Sequence, residues 1–316
     1  MEPFYHNLTF DDFDHFTASV PWDLEFKQLS AGKFRADLVF LGDVDIQIGK
    51  TVYNVKLLQH GSVPDGITFA IHHPNSAPFT WRHMEFPPHS IIVFPENREH
   101  QGLSQPNHHP FTVTISENFL TAVCEDLGLP ELDRFVLKGE VLLCDPKTIH
   151  EIQKYLSWLC AKTENMDREF LDTLINHKTK LNIARLLLNA LADSKGINQR
   201  KRQFQQRKKV VDRVLEYVDA DLSVQRSLSE LCKVAEVNER TLRNCFYEQF
   251  SLSPIKFLKC RRLNIIRSAL KNTDASIASI NEIANHNGFW HMGQFAKDYK
   301  HLFGELPSTT LKRNNL

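Results

Sequence analysis

The segment GFWHMGQFAKDYKHLFGELPS, at residues 288–308, combines aromatic side chains with side chains that form hydrogen bonds. Phe295, Tyr299 and Phe303 recur every four positions, which predicts the buried face of one helix, and Gly304 marks its end. The polar side chains of the same segment are His291, Gln294, Lys297, Asp298 and Lys300. Because these groups donate and accept hydrogen bonds in several geometries, the polar face of this helix is a candidate recognition surface.

An earlier segment repeats the plan of this one. When Pro254 is aligned with Pro307, four earlier residues fall on later ones: Phe250 on Phe303, Phe246 on Tyr299, Leu242 on Phe295 and Asn238 on His291. In both copies the pattern predicts a short helix, a turn of three or four residues and a second helix. This order is that of a helix-turn-helix unit, predicted at about residues 228–249 and again at about 279–302, with an 18-residue helix between them.

The geometry of a helix-turn-helix unit suits double-stranded DNA. Its first helix crosses the DNA backbone, and its second helix presents polar side chains to base edges in the major groove. Two units on one chain can enter successive major grooves, which lie about 34 Å apart. The connecting helix, at about 1.5 Å per residue, is about 27 Å long and therefore suits the role of a rigid spacer.

Residues 208–313 resemble the DNA-binding domain of the AraC/XylS family of bacterial transcription regulators. The resemblance rests on SLSELCKVAEVNERTLRNCF and, more strongly, on INEIANHNGFWHMGQFAKDYKHLFGELPS, where Gly-Phe, Phe, Tyr, Phe-Gly and Pro occur in the family's order and spacing. The preceding 200 residues resemble the family in architecture alone. The resemblance implies a DNA-binding transcription regulator, expected as an activator with RNA polymerase as a partner, although the sequence does not separate activation from repression.

The resemblance assigns the polar face of each second helix to DNA. The candidate DNA-binding residues are Arg240, Arg243 and Asn244 in the first unit, and His291, Gly293, Gln294 and Lys297 in the second. Arginine suits paired hydrogen bonds to guanine, whereas asparagine and glutamine suit adenine. Lys297 is equally suited to a phosphate, a contact that positions the protein without reading sequence. For each of these residues the alternative is an ordinary solvated surface position.

Four positions depart from the family pattern. Glu236 stands at the turn of the first unit, where the family has glycine, and Ser251 stands where a glycine is usual before Leu252. Asn244 lies where the family often has arginine, and Gly293 offers no side chain to DNA. The sequence preference of the first unit is therefore the part of the resemblance that transfers least.

Charge is unevenly distributed along the chain, although the formal net charge is zero. Residues 201–316 contain 20 Lys and Arg against 12 Asp and Glu, or +8, and residues 1–200 contain 18 against 26, or −8. The basic part favours a polyanionic partner. Because residues 196–207 are polar, basic and without periodicity, we predict a linker there, between a domain at 1–195 and a DNA-binding domain at 208–316.

The apolar pattern of the first 195 residues predicts strands followed by helices. Residues 25–115 contain short apolar runs separated by turns, which is typical of a barrel or a sandwich. Residues 116–195 change to the helical period. The family resemblance implies a cupin-like β-barrel that holds a small effector and dimerises. The predicted fold class is therefore multidomain α+β, with an N-terminal cupin-like β-barrel with helices and a C-terminal all-helical domain that contains two helix-turn-helix units.

Aromatic side chains are common in the walls of small-molecule sites. The candidate effector-binding residues of the N-terminal domain are Trp22, Phe69, Phe79, Trp81 and Phe94. For each of them the alternative is a place in the hydrophobic core.

Ten of the fifteen histidines lie within residues 1–109, including the pairs His72–His73 and His108–His109. Histidine ligands in a small barrel would form a cupin-type metal site, and a metal enzyme with an accessory DNA-binding domain is the alternative function. The spacing argues against it, because no HxH is followed by a glutamate and a later histidine. We therefore expect no metal, no cofactor and no enzymatic activity.

The six cysteines follow no metal-binding or redox spacing. A DNA-alkylation repair protein can carry the same helical domain, but it needs a four-cysteine zinc cluster, and Cys124, Cys144 and Cys160 are too few and too far apart. No apolar run of about 18 residues predicts a membrane span. The acidic, aromatic start lacks a secretory signal, so we expect a cytoplasmic, nucleoid-associated bacterial protein without a membrane partner.

Six residues before the linker recur at alternating steps of three and four: Leu174, His177, Leu181, Ala184, Leu188 and Leu191. This spacing is typical of a coiled-coil seam and predicts a homodimer through its four leucines. The alternative is packing of the same helix on its own barrel, which Ile183 and Leu187 favour because they widen the apolar stripe.

Overall fold

The computed structural model describes most of the chain. The described residues are 3–20, 22–63, 66–81, 84–94, 97–128, 141–162, 171, 173–196, 201–272 and 279–313. Contacts divide the chain into two compact units. The sheet unit comprises residues 1–26, 35–54 and 59–198, and the helical unit comprises residues 27–34, 55–58 and 199–316.

Short segments rich in β-branched and aromatic residues form the strands of two sheets. The described strands are β1 Phe4–Phe10, β2 Asp23–Gln28, β3 Ala36–Gly42, β4 Ile46–Tyr53, β5 Leu57–Ser62, β6 Ile67–His72, β7 Phe79–Trp81, β8 Met84–Glu85, β9 Ser90–Phe94, β10 His100–Ser104, β11 Pro110–Ile115, β12 Val141–Leu143 and β13 Lys195–Gly196. The eight-stranded sheet has the order β1-β3-β4-β11-β6-β9-β12-β13, and the five-stranded sheet has the order β2-β5-β10-β7-β8. Because β11 pairs with both β4 and β6, residues far apart in the sequence meet at the centre of the larger sheet.

The described helices of the sheet unit are α1 Phe13–Ser19, α2 Glu117–Leu127, α3 Pro146–Lys162 and α4 His177–Ala192. Helices α2, α3 and α4 pack against the larger sheet. Phe69 and Phe111 are fully buried and belong to one core with apolar residues of α2, α3 and α4, among them Leu120, Leu156 and Leu188. This burial of apolar area is the main favourable contribution to the folding of the unit.

The predicted fold class is confirmed, because a β-rich N-terminal unit is followed by helices alone from residue 201 to the end of the described chain. The described strands divide between two sheets that share no strand. Within the described residues these sheets form no closed barrel.

The structure corrects the prediction of a leucine dimer seam. Leu174, Leu188 and Leu191 are buried in the core beneath the larger sheet, and Leu181 is half-buried against the same core. Ile183 and Leu187 make the stripe wider than a coiled-coil seam, and a wide stripe packs on a sheet rather than on one partner helix. The alternative, packing within the chain, therefore describes this helix.

A buried ion pair fixes one end of α4 to the sheet. Lys180 is 9% exposed, and its Nζ donates to Asp43 at 2.8 Å and to Asp45 at 2.5 Å. Asp43 also accepts from the backbone N–H groups of Asp45 and Ile46, in the turn between β3 and β4. The Lys180 ammonium and the carboxylates of this turn therefore neutralise each other's charges where little water is present.

The helical unit contains α5 Lys201–Asp219, α6 Leu228–Ala235, α7 Glu239–Phe250, α8 Pro254–Asn272, α9 Ile280–His286, α10 Met292–Phe303 and α11 Pro307–Arg313. The linker predicted at residues 196–207 is corrected in part, because α5 already begins at Lys201 and residue 196 ends β13. Residues 197–200 lie outside the described residues. Within the described ranges, the helices are too short or too polar to span a membrane.

Two segments of the N-terminal half, residues 27–34 and 55–58, belong to the helical unit by their contacts. Gln28, which is 1% exposed, accounts for the first of them. Its backbone N–H donates to the side chain of Asn264 at 2.9 Å, and its Nε2 donates to the carbonyl oxygen of Leu302 at 2.6 Å. The sequence analysis placed these segments in the first domain. Hydrogen bonds between residues more than two hundred positions apart leave no local pattern in the sequence, so they were not predicted.

Candidate nucleic-acid interface

Helices α6 and α7 form the first helix-turn-helix unit. Ser227 caps α6 by accepting a hydrogen bond from the backbone N–H of Glu230, and Asn238 caps α7 by accepting one from Thr241. Helix α6 ends at Glu236, whose φ of 55° lies in the left-handed region. This is the turn position where the family resemblance led us to expect glycine, because glycine adopts this conformation without strain.

Helices α9 and α10 form the second unit. Ser279 and Glu282 make a capping box at the start of α9, in which each side chain accepts from the backbone N–H of the other residue. Gly288 lies in the turn with a φ of 79°, and a Cβ there would approach the carbonyl oxygen of Ser223 to 2.6 Å. Both conformation and space therefore require glycine at this turn.

The apolar faces of α7 and α10 are buried, as their spacing predicts. The buried residues are Leu242, Phe246 and Phe250 in α7, and Phe295, Tyr299 and Phe303 in α10. The ring centroids of Phe295 and Tyr299 lie 5.7 Å apart, and the Tyr299 hydroxyl is 2.8 Å from the Thr310 hydroxyl. These contacts fix the rotation of α10 about its axis, and so determine which residues it presents to solvent.

The three candidate residues of the first unit are exposed on α7. Arg243 donates to the Glu239 carboxylate one turn earlier at 2.7 Å. Arg240 and Asn244 lie on the same side of the helix, away from the buried face. Because an exposed ion pair is weak, the guanidinium of Arg243 can exchange Glu239 for another anion.

The four candidate residues of the second unit are exposed at or near the start of α10: His291, Gly293, Gln294 and Lys297. The side-chain amide of Gln294 donates to Asp298 at 3.1 Å, which holds the amide in place. At Gly293 no atom lies within 4 Å of where a Cβ would be, so the helix surface is open there. A partner can approach the backbone of α10 closely at this point.

Sequence reasoning missed two residues beside this surface. A cavity of about 740 Å³ adjoins the first turn of α10, and Arg262 and Trp290 line it together with His291 and Gln294. Trp290 is 63% exposed, so it lies outside the buried aromatic face of α10. A signal for Arg262 did exist, because α8 contains several Lys and Arg residues and no Asp or Glu.

The structure does not bring the five candidate effector residues together around one cavity. Trp22 lines a cavity of about 40 Å³ in the sheet unit. Phe69 lies in the core beneath the larger sheet, whereas Phe79, Trp81 and Phe94 belong to a second apolar cluster, against which Trp22 also packs. The other residues that line the cavity are Phe16, Val20, Leu24, Phe26, Leu38, Phe40, Gly49, Thr51, Tyr53, Gln59, Pro110 and Thr112.

The pairing of β6 with β11 brings the two histidine pairs together. The ring centroids of His72 and His108 lie 5.7 Å apart, and those of His73 and His109 lie 5.6 Å apart. No cluster of three or more potential metal ligands occurs in the part of the chain that the structure describes. That these histidines are not a metal site stays a prediction.

One contact in this cluster resembles a nucleophile and its base. Nδ1 of His108 lies 3.0 Å from the Ser76 hydroxyl. His108 is 3% exposed, and its burial, together with the nearby His72, lowers its pKa to about 3. A general base works best with a pKa near the working pH, so this ring is a poor base for Ser76 at neutral pH.

The cysteines are free thiols, four of them buried. Burial raises the pKa of Cys144 and Cys160 to about 12, and that of Cys260 to about 11. A nucleophilic or metal-binding cysteine is a thiolate with a lowered pKa. These side chains therefore suit core packing.

Comparisons with known proteins agree with this geometry. A family model described as a helix-turn-helix domain matches residues 231–313. The XylDLEGF operon transcriptional activator 2 of Pseudomonas putida is 32% identical over 140 residues, which cover 44% of this chain and 86% of that relative. The XylDLEGF operon transcriptional activator of the same organism is 33% identical over 130 residues, and the match spans 41% of this chain and 40% of the length of that relative.

Two solved structures are also similar. The AraC-like transcriptional activator CuxR has 12% sequence identity and a TM-score of 0.44, with 82% of this chain and 94% of that chain covered. A probable AraC family transcriptional regulator from Rhodopseudomonas palustris has 30% identity and a TM-score of 0.30, with 33% of this chain and 96% of that chain covered.

The paired helix-turn-helix units, each with an exposed polar second helix, define a DNA-binding transcription regulator. The matches to relatives with the same helical region define the group more closely. The chain belongs to the AraC/XylS family of transcription regulators.

Proposed function

We propose that the chain activates transcription by binding promoter DNA with α7 and α10 in two successive major grooves. The observation that carries the proposal is that each of these helices buries an aromatic or aliphatic face and leaves a polar face exposed. The Pseudomonas putida relatives are named as operon transcriptional activators, which supports activation. Purified protein mixed with genomic fragments should retain a small set of promoter sequences, and equal retention of all fragments would contradict the proposal.

Base reading is proposed for Arg240 in α7 and Gln294 in α10. Arg240→Ala and Gln294→Ala should each weaken binding to the selected promoter site by about 1–3 kcal/mol, because each removes hydrogen bonds to a base edge. Binding to a random-sequence duplex should change much less. Fluorescence anisotropy with both duplexes measures the two effects.

Arg213→Ala is a matched control for that experiment. Arg213 is an exposed arginine of the same unit, but it lies on α5 and pairs with Glu236 at 3.2 Å. Its loss should leave discrimination between the two duplexes unchanged. If Arg240→Ala and Gln294→Ala weaken both duplexes equally, these residues bind phosphate and do not read bases.

The remaining candidate residues take supporting roles in the proposal. Arg243 and Lys297 are suited to phosphates or guanine, and Asn244 is suited to adenine. His291 lies at the start of α10, where the protein approaches DNA most closely in this geometry.

The cavity of the sheet unit is the proposed effector site. None of the described residues that line it carries a charge, so a charged ligand would lose its hydration there without compensation. The polar side chains of its wall include Thr51 and Thr112, together with the Tyr53 hydroxyl and the Gln59 amide, which bond to each other at 2.5 Å. We therefore propose a small neutral effector that carries a hydrogen-bonding group. A cavity that binds benzene measures about 150 Å³, so an aromatic effector would have to widen this one.

A neutral effector should stabilise the folded chain and so raise its melting temperature. At an effector concentration 100 times its dissociation constant, the stabilisation is about 2.7 kcal/mol. A panel of small alcohols, amides and carboxylates, followed by thermal shift, tests this. Gln59→Leu should keep the fold but lose the shift, because it removes the amide and retains the volume. A shift produced only by carboxylates would contradict the proposed chemistry. If no compound shifts the melting temperature, the unit is a protein-contact module.

We also propose that the chain forms a homodimer, contacts RNA polymerase and is located in the cytoplasm, at the nucleoid. A dimer gains effective concentration at the second of two DNA sites. Since the leucines of α4 are buried, the dimer contact would have to lie on another surface. Sedimentation of the full chain with and without DNA distinguishes a monomer from a dimer.

A further inference from the structure

The three arginines of α8 differ in whether a carboxylate pairs with the guanidinium. Arg261 bonds to both carboxylate oxygens of Asp219, and Arg267 pairs with Glu305 at 2.5 Å. Arg262 contacts the ring face of Phe289, with 5.7 Å from its guanidinium carbon to the ring centroid. Its Nε is buried without a hydrogen-bond partner, and within the described residues its guanidinium makes no ion pair.

A half-buried guanidinium without an anion is unfavourable for folding. Burial removes water from the charge, and no carboxylate of the described residues replaces that water. The same burial lowers the pKa of Arg262, but arginine has so high a pKa that it stays charged at neutral pH. No described residue supplies the missing counter-charge, which leaves the guanidinium open to an anion from outside the chain.

Arg262 lies where such a partner can reach it. It lines the cavity beside α10, together with His291 and Gln294, the residues proposed to meet DNA. A Cβ at Gly288 would lie 3.1 Å from Nη1 of Arg262, so a glycine gives the guanidinium its space. Ser223 and Gln225 add polar groups to the same wall.

The other charged groups of this cavity are already paired. Asp298 is its carboxylate, and it accepts from Lys259 at 2.6 Å and from Gln294 at 3.1 Å. Arg262 is thus the uncompensated charge among the described residues that line the cavity. An anion that enters would meet a guanidinium with free N–H groups.

We propose that Arg262 binds a phosphate of the DNA backbone next to the first turn of α10. This inference rests on the proposed function, and it adds a contact from the connecting helix to those of the two recognition helices. A guanidinium bonds phosphate oxygens through two parallel N–H groups. Such a contact sets the position of α10 in its groove and carries no sequence information itself.

Arg262→Gln in the full chain tests the proposal, with a random-sequence duplex of about 30 base pairs, long enough for two major grooves. The affinity should fall about tenfold, since a charge-assisted hydrogen bond is lost. The slope of log affinity against log salt should become shallower by about 0.9, the value for one phosphate contact. The melting temperature without DNA should rise by about 2–4 °C, because an unpaired charge leaves the interior.

Arg261→Gln is the matched control, because it removes the same charge from the neighbouring position. It breaks the bonds to Asp219, so it should lower the melting temperature and leave the salt slope unchanged. Arg262→Lys retains the charge, so it should retain the salt slope while losing part of the affinity. Opposite effects on stability and binding at Arg262 distinguish a ligand contact from a packing role.

Other results overturn the proposal in distinguishable ways. If Arg262→Gln lowers the melting temperature and the affinity together, Arg262 is structural. If the variant binds DNA as the unmodified chain does, the contact does not exist, while the proposed function stands. If the unmodified chain binds no duplex, the result contradicts both the phosphate contact of Arg262 and the proposed function. If inorganic phosphate alone raises the melting temperature of the unmodified chain but not of Arg262→Gln, and DNA affinity is equal in both, the site is one for free phosphate.

Discussion

Phe295→Ala is expected to destabilise the helical unit by about 3–5 kcal/mol, the usual range for a buried phenylalanine, and to abolish DNA binding. Phe295 is 2% exposed, and its ring lies 5.3 Å from that of Phe289 and 5.7 Å from that of Tyr299, measured between centroids. Its removal leaves a cavity between α10 and the preceding turn. Denaturant unfolding of the full chain, monitored together with binding to the promoter site, measures both losses.

Gln294→Ala is the control for this experiment, because Gln294 is the adjacent residue on the exposed face of the same helix. Its unfolding midpoint should stay within about 0.5 kcal/mol of the original, as for surface substitutions in general. Only its discrimination between promoter and random DNA should fall. If Phe295→Ala lost binding without any loss of stability, the aromatic face of α10 would have to contact DNA itself.

Lys180→Ala is expected to destabilise the sheet unit by about 3–5 kcal/mol, because it leaves the Asp43 carboxylate buried without its partner. The loss should appear at neutral pH in thermal or denaturant unfolding of the full chain. Lys178, an exposed lysine two residues earlier on the same helix, supplies the control. Lys178→Ala should be close to neutral.

A paired substitution separates the charge from the packing. Lys180→Met combined with Asp43→Asn removes the two buried charges, keeps similar volumes and leaves only the more exposed Asp45 charged, so it should recover much of the stability lost in Lys180→Ala. If the double variant were as unstable as the single one, the methylene chain of Lys180, and not its charge, would be what the core requires.

The pH dependence of the same pair has a definite sign. Burial lowers the pKa of Lys180, but its hydrogen bonds to Asp43 and Asp45 outweigh this and raise the pKa above 10.5. The folded chain therefore holds this proton more tightly than the unfolded chain does. The contribution is complete below pH 10.5 and is lost as the pH rises through the folded value. The stability difference between the chain and Lys180→Ala should be constant around neutrality and shrink in strong alkali.

The sequence by itself determined the two helix-turn-helix units. Their information is local: the caps at Ser227, Asn238 and Ser279 bond to backbone groups within three residues, and the apolar residues of α10 recur within a helical turn. Interactions of this range can be read from spacing, because a helix places such neighbours together whatever surrounds it. The exposed polar faces follow from the same periodicity, whereas their assignment to DNA came from the family resemblance.

The tertiary structure alone decided the features that depend on distant partners. The spacing of Leu174, Leu188 and Leu191 suits a coiled coil and a helix packed on a sheet equally well, and only the sheet opposite α4 distinguishes them. Strand pairing, not spacing, brings His72 next to His108.

Whether the charge of Arg262 is paired also depends on distant parts of the chain. In the sequence it is one basic residue among several on α8, and its neighbours Arg261 and Arg267 appear identical to it. Whether a carboxylate meets each guanidinium depends on where α5 and the segment before α11 lie in the folded unit. Periodicity determines which side of its own helix a side chain occupies. The partner that it meets there is set by distant segments of the chain: Asp219 and Glu305 lie about forty residues from the arginines that they pair with, and no local pattern encodes them.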